Sequence, residues 1–203
     1  KYMLDYLKLV RIQNLGIIIV MHLVFKHFII DARLIETSLN NWQFGLLILA
    51  TVCIAAGGYI INNILDVETD LINKPQNVVI HKTISESAAY NLYFALNVTG
   101  VVIGYYISNV VNKPSMLLVF IATSSLLYVY STMLKQILLV GNLIISLLIA
   151  FSVLIIPIFL LYPIINVNNQ QEFSVLFSIF LDYAVFAFVI NLIREIIKDI
   201  EDY

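Results

Sequence analysis

Long uncharged apolar runs set the pattern of this chain. Phe44–Leu65, Ser87–Val111 and Pro114–Leu134 contain no charged residue, and Phe173–Ile193 carries only Asp182. Gln136–Gln171 is uncharged throughout, enough for one helix and a polar loop at Asn166–Gln171. A hydrocarbon core about 30 Å thick is crossed by roughly 20 apolar residues of helix. Each run therefore predicts one transmembrane span. A further span near the N-terminus is weaker: Leu15–Phe25 is strongly apolar, and the run reaches Ile30 only by tolerating Lys26 and His27. The expected fold is all-α, a polytopic transmembrane helical bundle of about six spans, because only internally hydrogen-bonded helices or closed barrels cross lipid. Residues 1–203 read as a single transmembrane domain. The longest non-apolar stretch, Asp66–Glu86, is too short to fold alone, and no internal repeat is visible. Gly57-Gly58, preceded by Ala55 and Ala56, lets another helix approach the second span closely.

Composition narrows this further. The chain is 61% hydrophobic and 12% charged, whereas a soluble domain carries about 25% charged residues. Eleven Lys and Arg against thirteen Asp and Glu leave no basic excess, which excludes a nucleic-acid-binding protein. The single cysteine, Cys53, forms no internal disulfide. The first apolar run lacks a small-residue cleavage site, so no cleavable signal is expected, and Lys1 in place of Met points to a processed or trimmed N-terminus. Lys and Arg gather in cytoplasmic loops. With the N-terminus inside, Lys1, Lys8, Arg11, Lys74, Lys82, Lys135, Arg194 and Lys198 fall inside, and only Lys26, Arg33 and Lys113 fall outside. The expected protein is integral to the membrane and multi-pass, with its N-terminus cytoplasmic.

The acids are concentrated on that same inner side. Asp66, Glu68 and Asp70 follow the second span; Glu195, Asp199, Glu201 and Asp202 follow the sixth. Asn62, Asp66 and Asp70 are spaced i, i+4, i+8 and form one helical stripe. Glu195, Asp199 and Asp202 share a face, which Asn191 extends one turn deeper, beside a basic stripe of Arg194 and Lys198. Charges at helix ends are ordinarily solvated caps. Two carboxylate stripes at one mouth, the first with Asn62 and Asn63 at membrane depth, ask for more, because polar groups in lipid need partners or a function. Carboxylates facing each other repel unless a cation lies between them. Mg²⁺ suits such a site: it is hard, takes oxygen ligands, keeps several waters and is shared with substrate phosphates. Neighbouring Lys and Arg then bind the remaining phosphate oxygens.

These residues resemble the signatures of the UbiA family of intramembrane prenyltransferases. Asn62, Asp66 and Asp70 match the Asn and two spaced Asp of its Asn-Asp-x-x-Asp-x-x-x-Asp motif, with Asn63 where Asp is frequent. Asn73-Lys74-Pro75 is similar to the continuation of that motif. Tyr130-Ser131-Thr132-Met133-Leu134-Lys135, followed by Gly141-Asn142, matches Tyr-Ser-x-x-Leu-Lys. Arg11-Ile12-Gln13-Asn14 resembles the opening Arg-Pro-x-Asn, and the C-terminal Arg-Glu-x-x-Lys-Asp-x-Glu-Asp resembles the second Asp-rich motif. The matches run in order from residue 11 to 202. The family has about nine transmembrane helices of roughly 20 residues each, more than are found here, so a chain truncated within the second Asp-rich loop is expected.

The resemblance implies Mg²⁺-dependent transfer of an isoprenyl group from a polyprenyl diphosphate to a lipophilic acceptor. The glycerophospholipid-ether branch is the nearest in motif, which makes the acceptor the hydroxyl of a prenylated glycerol phosphate. An aromatic acceptor of 4-hydroxybenzoate or naphthoate type is the alternative. Asn62, Asp66, Asp70, Asp199 and Asp202 are the implied metal ligands, and Tyr130 the implied stabiliser of an allylic cation through its ring face. Lys74, Lys135, Arg194 and Lys198 are implied diphosphate contacts, with Arg11 in the diphosphate or acceptor pocket. Membrane lipids surround the protein, and no obligatory protein partner is inferred. A transporter would carry charges near mid-bilayer and inverted repeats; an assembly subunit would need no acid clusters. His22 and His27 read as interfacial packing, His81 as a loop histidine, Asp182 as a helix–helix hydrogen bond, Cys53 as packing, and most of the twelve Tyr as an interfacial belt.

Overall fold

The computed structural model describes residues 2–73, 75–137 and 139–201. Its helices are α1 (Tyr2–Leu9), α2 (Ile12–Phe25), α3 (Asn41–Leu65), α4 (Val67–Asn73), α5 (Glu86–Val110), α6 (Leu117–Thr132), α7 (Val140–Leu160) and α8 (Gln170–Glu201), and the described residues contain no strand. Five helical stretches are long and apolar enough to cross a membrane: Ile12–Arg33, Asn41–Leu65, Pro114–Thr132, Val140–Ile164 and Gln170–Ile200. The remaining expected span, α5, is as long as α3 at 25 residues. Its apolar character is diluted by Asn91, Asn97, Thr99 and Asn109. α5 lies along α3, with α6 on the same side and α7 against α8.

Local chemistry explains where these helices begin and end. Asn40 and Gln43 form a reciprocal capping box at the start of α3, each side chain accepting from the other's backbone N–H at 2.9 Å. The Ser85 side chain caps α5. At its C-terminal end α2 runs on as a π-helical turn, Lys26–Ile30, and a 3-10 turn, Asp31–Arg33. This accounts for Lys26, one of the two polar residues tolerated in the weakest expected span. Lys26 is buried, and its Nζ donates to Asp31 at 2.7 and 2.9 Å and to Asn41 Oδ1 at 2.9 Å, so the charge is neutralised where it sits. The fully buried His22 packs near Phe44, with its Nδ1 against the Ile18 carbonyl.

The large core joins Phe44, Leu47 and Ile54 of α3 to Phe120 of α6, Ile156 and Phe159 of α7, and Phe180 of α8. A smaller core lies under the first acidic motif, where Leu9, Ile60 and Ile64 meet Val78, Val79, Ile80 and Ile84. The loop after α4 is therefore folded back by three consecutive apolar residues inside a stretch that reads as non-apolar overall. Large apolar side chains lie on the outward faces: Val98 and Val102 on α5 and Phe186 on α8 are all exposed.

The expected close approach at Gly57-Gly58 is observed. Asn97 of α5 sits directly over Gly57, and Leu127 of α6 lies 3.0 Å from where a Gly58 Cβ would stand. Asn97 accepts from Ser124 of α6 and donates to the Tyr93 carbonyl, so it cannot simply swing away. Asn63 has a partner of its own, donating to the Leu9 carbonyl at 2.8 Å and tying α1 to α3. Two expectations from single residues fare differently. Cys53 is packing, buried in α3 close to Gly100. Asp182 is exposed and makes no hydrogen bond to any described residue, which corrects its reading as a helix–helix tie: it lies on the outer side of α8 rather than against α7.

Gly57→Ala is expected to destabilise the bundle by about 1–3 kcal/mol through overpacking. Gly45→Ala, where nothing lies within 4 Å, should be neutral. Thermal unfolding of both variants in detergent checks this. Asn63→Asp removes the donor to Leu9, since an ionised carboxylate only accepts. It should cost about 1–3 kcal/mol and expose the α1–α2 corner, read as faster amide exchange over residues 2–12.

Candidate active site

The site is built where α3 ends. The helix breaks at Asp66, which caps it, and α4 begins at Val67. The expected stripe nevertheless survives the break, because Asp66 N–H bonds the Asn62 carbonyl at 3.0 Å and Asp70 N–H bonds the Asp66 carbonyl at 2.8 Å. The i, i+4, i+8 spacing is thus kept by the backbone although one regular helix is not.

Both carboxylate oxygens of Asp66 are engaged. Asn62 Nδ2 donates to Oδ2 at 2.8 Å, and the Lys135 ammonium pairs with Oδ1. Lys135 sits on the 3-10 turn Leu134–Gln136 that follows α6, so the pair joins the C-terminal ends of α3 and α6. That turn can pack against α7 because residue 141 is glycine: a Cβ there would stand 2.9 Å from Lys135 Cα and 3.1 Å from the Leu134 carbonyl oxygen.

The second acidic stripe comes to the same mouth. Tyr130, half-buried near the end of α6, feels the charges of Glu195, Asp66, Arg11 and Asp199. Charges from both ends of the sequence therefore act on one hydroxyl. Arg11 holds a left-handed backbone (φ 51°, ψ 57°) between α1 and α2, and its guanidinium lies 5.3 Å from the Tyr59 ring centre. Left-handed geometry is strained for a residue with a Cβ, and this corner is where α1, tied by Asn63, turns into α2. On α8, Asp199 accepts from Asn142 Nδ2 at 2.7 Å, and Lys198 lies 3.8 Å from Glu195.

The structure does not gather every residue named from the sequence. Arg194 is exposed and forms no ion pair with a described residue. Lys74 and Asp202 lie outside the described residues. His81 is an exposed loop residue 3.5 Å from Glu86. Among the described residues no three His, Cys, Asp or Glu side chains converge closely enough to hold a metal ion by themselves. Two residues gain importance. Glu195 heads the charges acting on Tyr130, and Asn142 holds Asp199. Glu195 was visible on the acidic face of α8, whereas nothing in the sequence ties Asn142 to a carboxylate 57 residues away.

Residues 32–203 match the model of the UbiA prenyltransferase family. The digeranylgeranylglyceryl phosphate synthase of Saccharolobus solfataricus is 34% identical over 161 residues, covering 78% of this chain and 51% of that protein. The protein of the same name from Sulfolobus acidocaldarius is 31% identical over 200 residues, covering 97% of this chain and 63% of that protein. A solved structure described as digeranylgeranylglyceryl phosphate synthase in membranes superposes with a TM-score of 0.68 at 24% identity, covering 99% of this chain and 63% of that one, and shows the fold. The chain spans about half the length of the first of these curated relatives. With two acidic motifs, a lysine on the first and a tyrosine between them, on an all-helical bundle of this shape, the chain belongs to the UbiA prenyltransferase family.

Proposed function

We propose that this chain forms the diphosphate-binding mouth of a Mg²⁺-dependent enzyme. It would transfer an isoprenyl group from a polyprenyl diphosphate to the hydroxyl of a prenylated glycerol phosphate. The observation that carries the proposal is the clamped Asp66, held by Asn62 and Lys135, with Asp199 held by Asn142 next to the glycine on which the Lys135 turn packs. The names of the Saccharolobus and Sulfolobus relatives support the acceptor.

The donor set fits magnesium. It is all oxygen, and Mg²⁺ is normally held by one or two carboxylates plus substrate phosphates and water, so a closed protein cage is not required. Asp66 and Asp70, with Asn62 orienting Asp66, would hold one ion, and Asp199 with Asp202 another. When bound, such ions supply neutralisation of the charge that grows on a diphosphate leaving group.

The chain's own residues do the rest. Lys135, already aimed at the mouth, gives a point charge to phosphate oxygens, with Arg11, Lys74, Arg194 and Lys198 as further contacts. The prenyl tail lies among the apolar helices. As the C1–O bond breaks, its electron pair leaves with the diphosphate and C1 becomes an allylic cation, which the Tyr130 ring face can stabilise. The acceptor hydroxyl oxygen then bonds C1 and releases its proton. Phosphates arrive from the cytoplasm, so the acidic mouth and the N-terminus face inward, in keeping with the Lys and Arg distribution.

Geranylgeranyl diphosphate binding to the detergent-purified protein, with and without Mg²⁺, tests this. Wild type should bind only with the metal, and an Asp66→Ala, Asp70→Ala variant should not bind. Metal-independent binding, or none by a well-folded protein, overturns the reading. Lys135→Met should weaken diphosphate affinity by about tenfold or more, the scale of one charge-assisted hydrogen bond, in the same titration. Product formation with a prenylated glycerol phosphate rather than 4-hydroxybenzoate decides the acceptor.

A further inference from the structure

A second line of polar contacts runs behind Asp199. Asn142, in the first turn of α7, donates from Nδ2 to Asp199 Oδ2 at 2.7 Å. The backbone carbonyl of Asn142 accepts from Ser146 Oγ at 2.6 Å, and Ser146 Oγ accepts from Asn191 Nδ2 at 3.1 Å. Asn191 and Asp199 are both on α8, so the contacts leave α8 deep in the bundle, pass along α7 and return to α8 at the mouth. Ser146 is fully buried and Asn191 is 6% exposed, so the inner rung is held in a medium where polar groups must find partners. Asp199, by contrast, is exposed. A solvated carboxylate at the end of a 32-residue helix has no packing of its own to fix its direction.

We infer that Asn142 is a positioning residue for the reaction, fixing the Asp199 carboxylate for metal and diphosphate and anchored in turn by Ser146 and Asn191. The inference rests on the diphosphate site proposed above. An amide suits the task. It donates a directed hydrogen bond to an ionised carboxylate, which only accepts, and adds no charge that would compete with the metal. The neighbouring Gly141 lets the Lys135 turn pack on the same first turn of α7. One short segment therefore sets the lysine of the first motif and the aspartate of the second together. Partners of this kind, one step behind metal ligands, typically change metal affinity by about 10–100-fold when removed.

The test is the Mg²⁺ concentration that half-saturates geranylgeranyl diphosphate binding, measured by calorimetry on the purified protein with melting temperatures recorded alongside. Asn142→Ala should raise that concentration by about tenfold or more, and Asn142→Gln, which keeps the donor, should raise it less. Asp199→Asn should also raise it, and the Asn142→Ala, Asp199→Asn double variant should match Asp199→Asn alone. A purely structural tie between α7 and α8 would instead lower the melting temperature and leave the metal requirement unchanged. That result overturns the inference, as do effects of the two substitutions that multiply. Should Asn142→Ala fail to fold, Asn142→Leu, close in size but without the donor, takes its place in the same cycle with the same criteria. Absence of metal-dependent binding in wild type is a different outcome, and it removes the diphosphate site itself.

Discussion

The ion pair between Asp66 and Lys135 is the constraint around which this mouth is arranged. It joins the end of α3 to the turn after α6, at a point where α3 has already broken and Asn62, one turn back in the helix, holds one carboxylate oxygen. The two side chains are 28% and 18% exposed, so both charges are largely withdrawn from water. Removing one partner from a fully buried pair costs about 3–5 kcal/mol, mostly the cost of stranding the other charge; a pair with this much solvent lies below that. Asn62 takes the second oxygen, which leaves Asp66 little freedom to turn. Its charge acts on Tyr130 together with those of Arg11 and of Glu195 and Asp199 on α8.

Polar contacts specify the rest of the bundle as well. In lipid the hydrophobic effect does not choose between helix partners, so small residues and hydrogen bonds must do so. Ser124 on Asn97 links α6 to α5 over Gly57, Asn191 on Ser146 links α8 to α7, and Asn63 links α3 to α1. Lys26 with Asp31 and Asn41 closes the outer end. Ser38 reaches across to the Phe159 and Leu160 carbonyls, capping α7 near the interior Pro157. Each contact satisfies a group that would otherwise be stranded, and each also sets a register. The site inherits its geometry from these ties.

The chain is an integral membrane protein, and its helices were legible from its pattern of uncharged runs. Asn62, Asp66 and Asp70 were legible too, because a spacing of four residues survives any helical path, including one that breaks at Asp66. The inner loop was misleading. Its charged flanks hide Val78, Val79 and Ile80, which supply the small core beneath the motif. Asp182 makes no hydrogen bond to a described residue, and periodicity alone does not say which side of α8 meets α7. Asn142 stood beside a recognised motif with no role assigned to it.

The sequence by itself determined the membrane environment, the order of the long helices and the two acidic stripes. All of these follow from local composition and from the 3.6-residue period of a helix. Only the tertiary structure decided which donors meet which acids: Lys135 on Asp66 and Asn142 on Asp199. Those pairings join residues separated by 57 to 69 positions in the two hydrogen-bonded cases. They depend on helix rotation and axial register, which are set by buried polar ties and by glycines at close crossings. No local pattern encodes such quantities, because they belong to pairs of helices and not to either one.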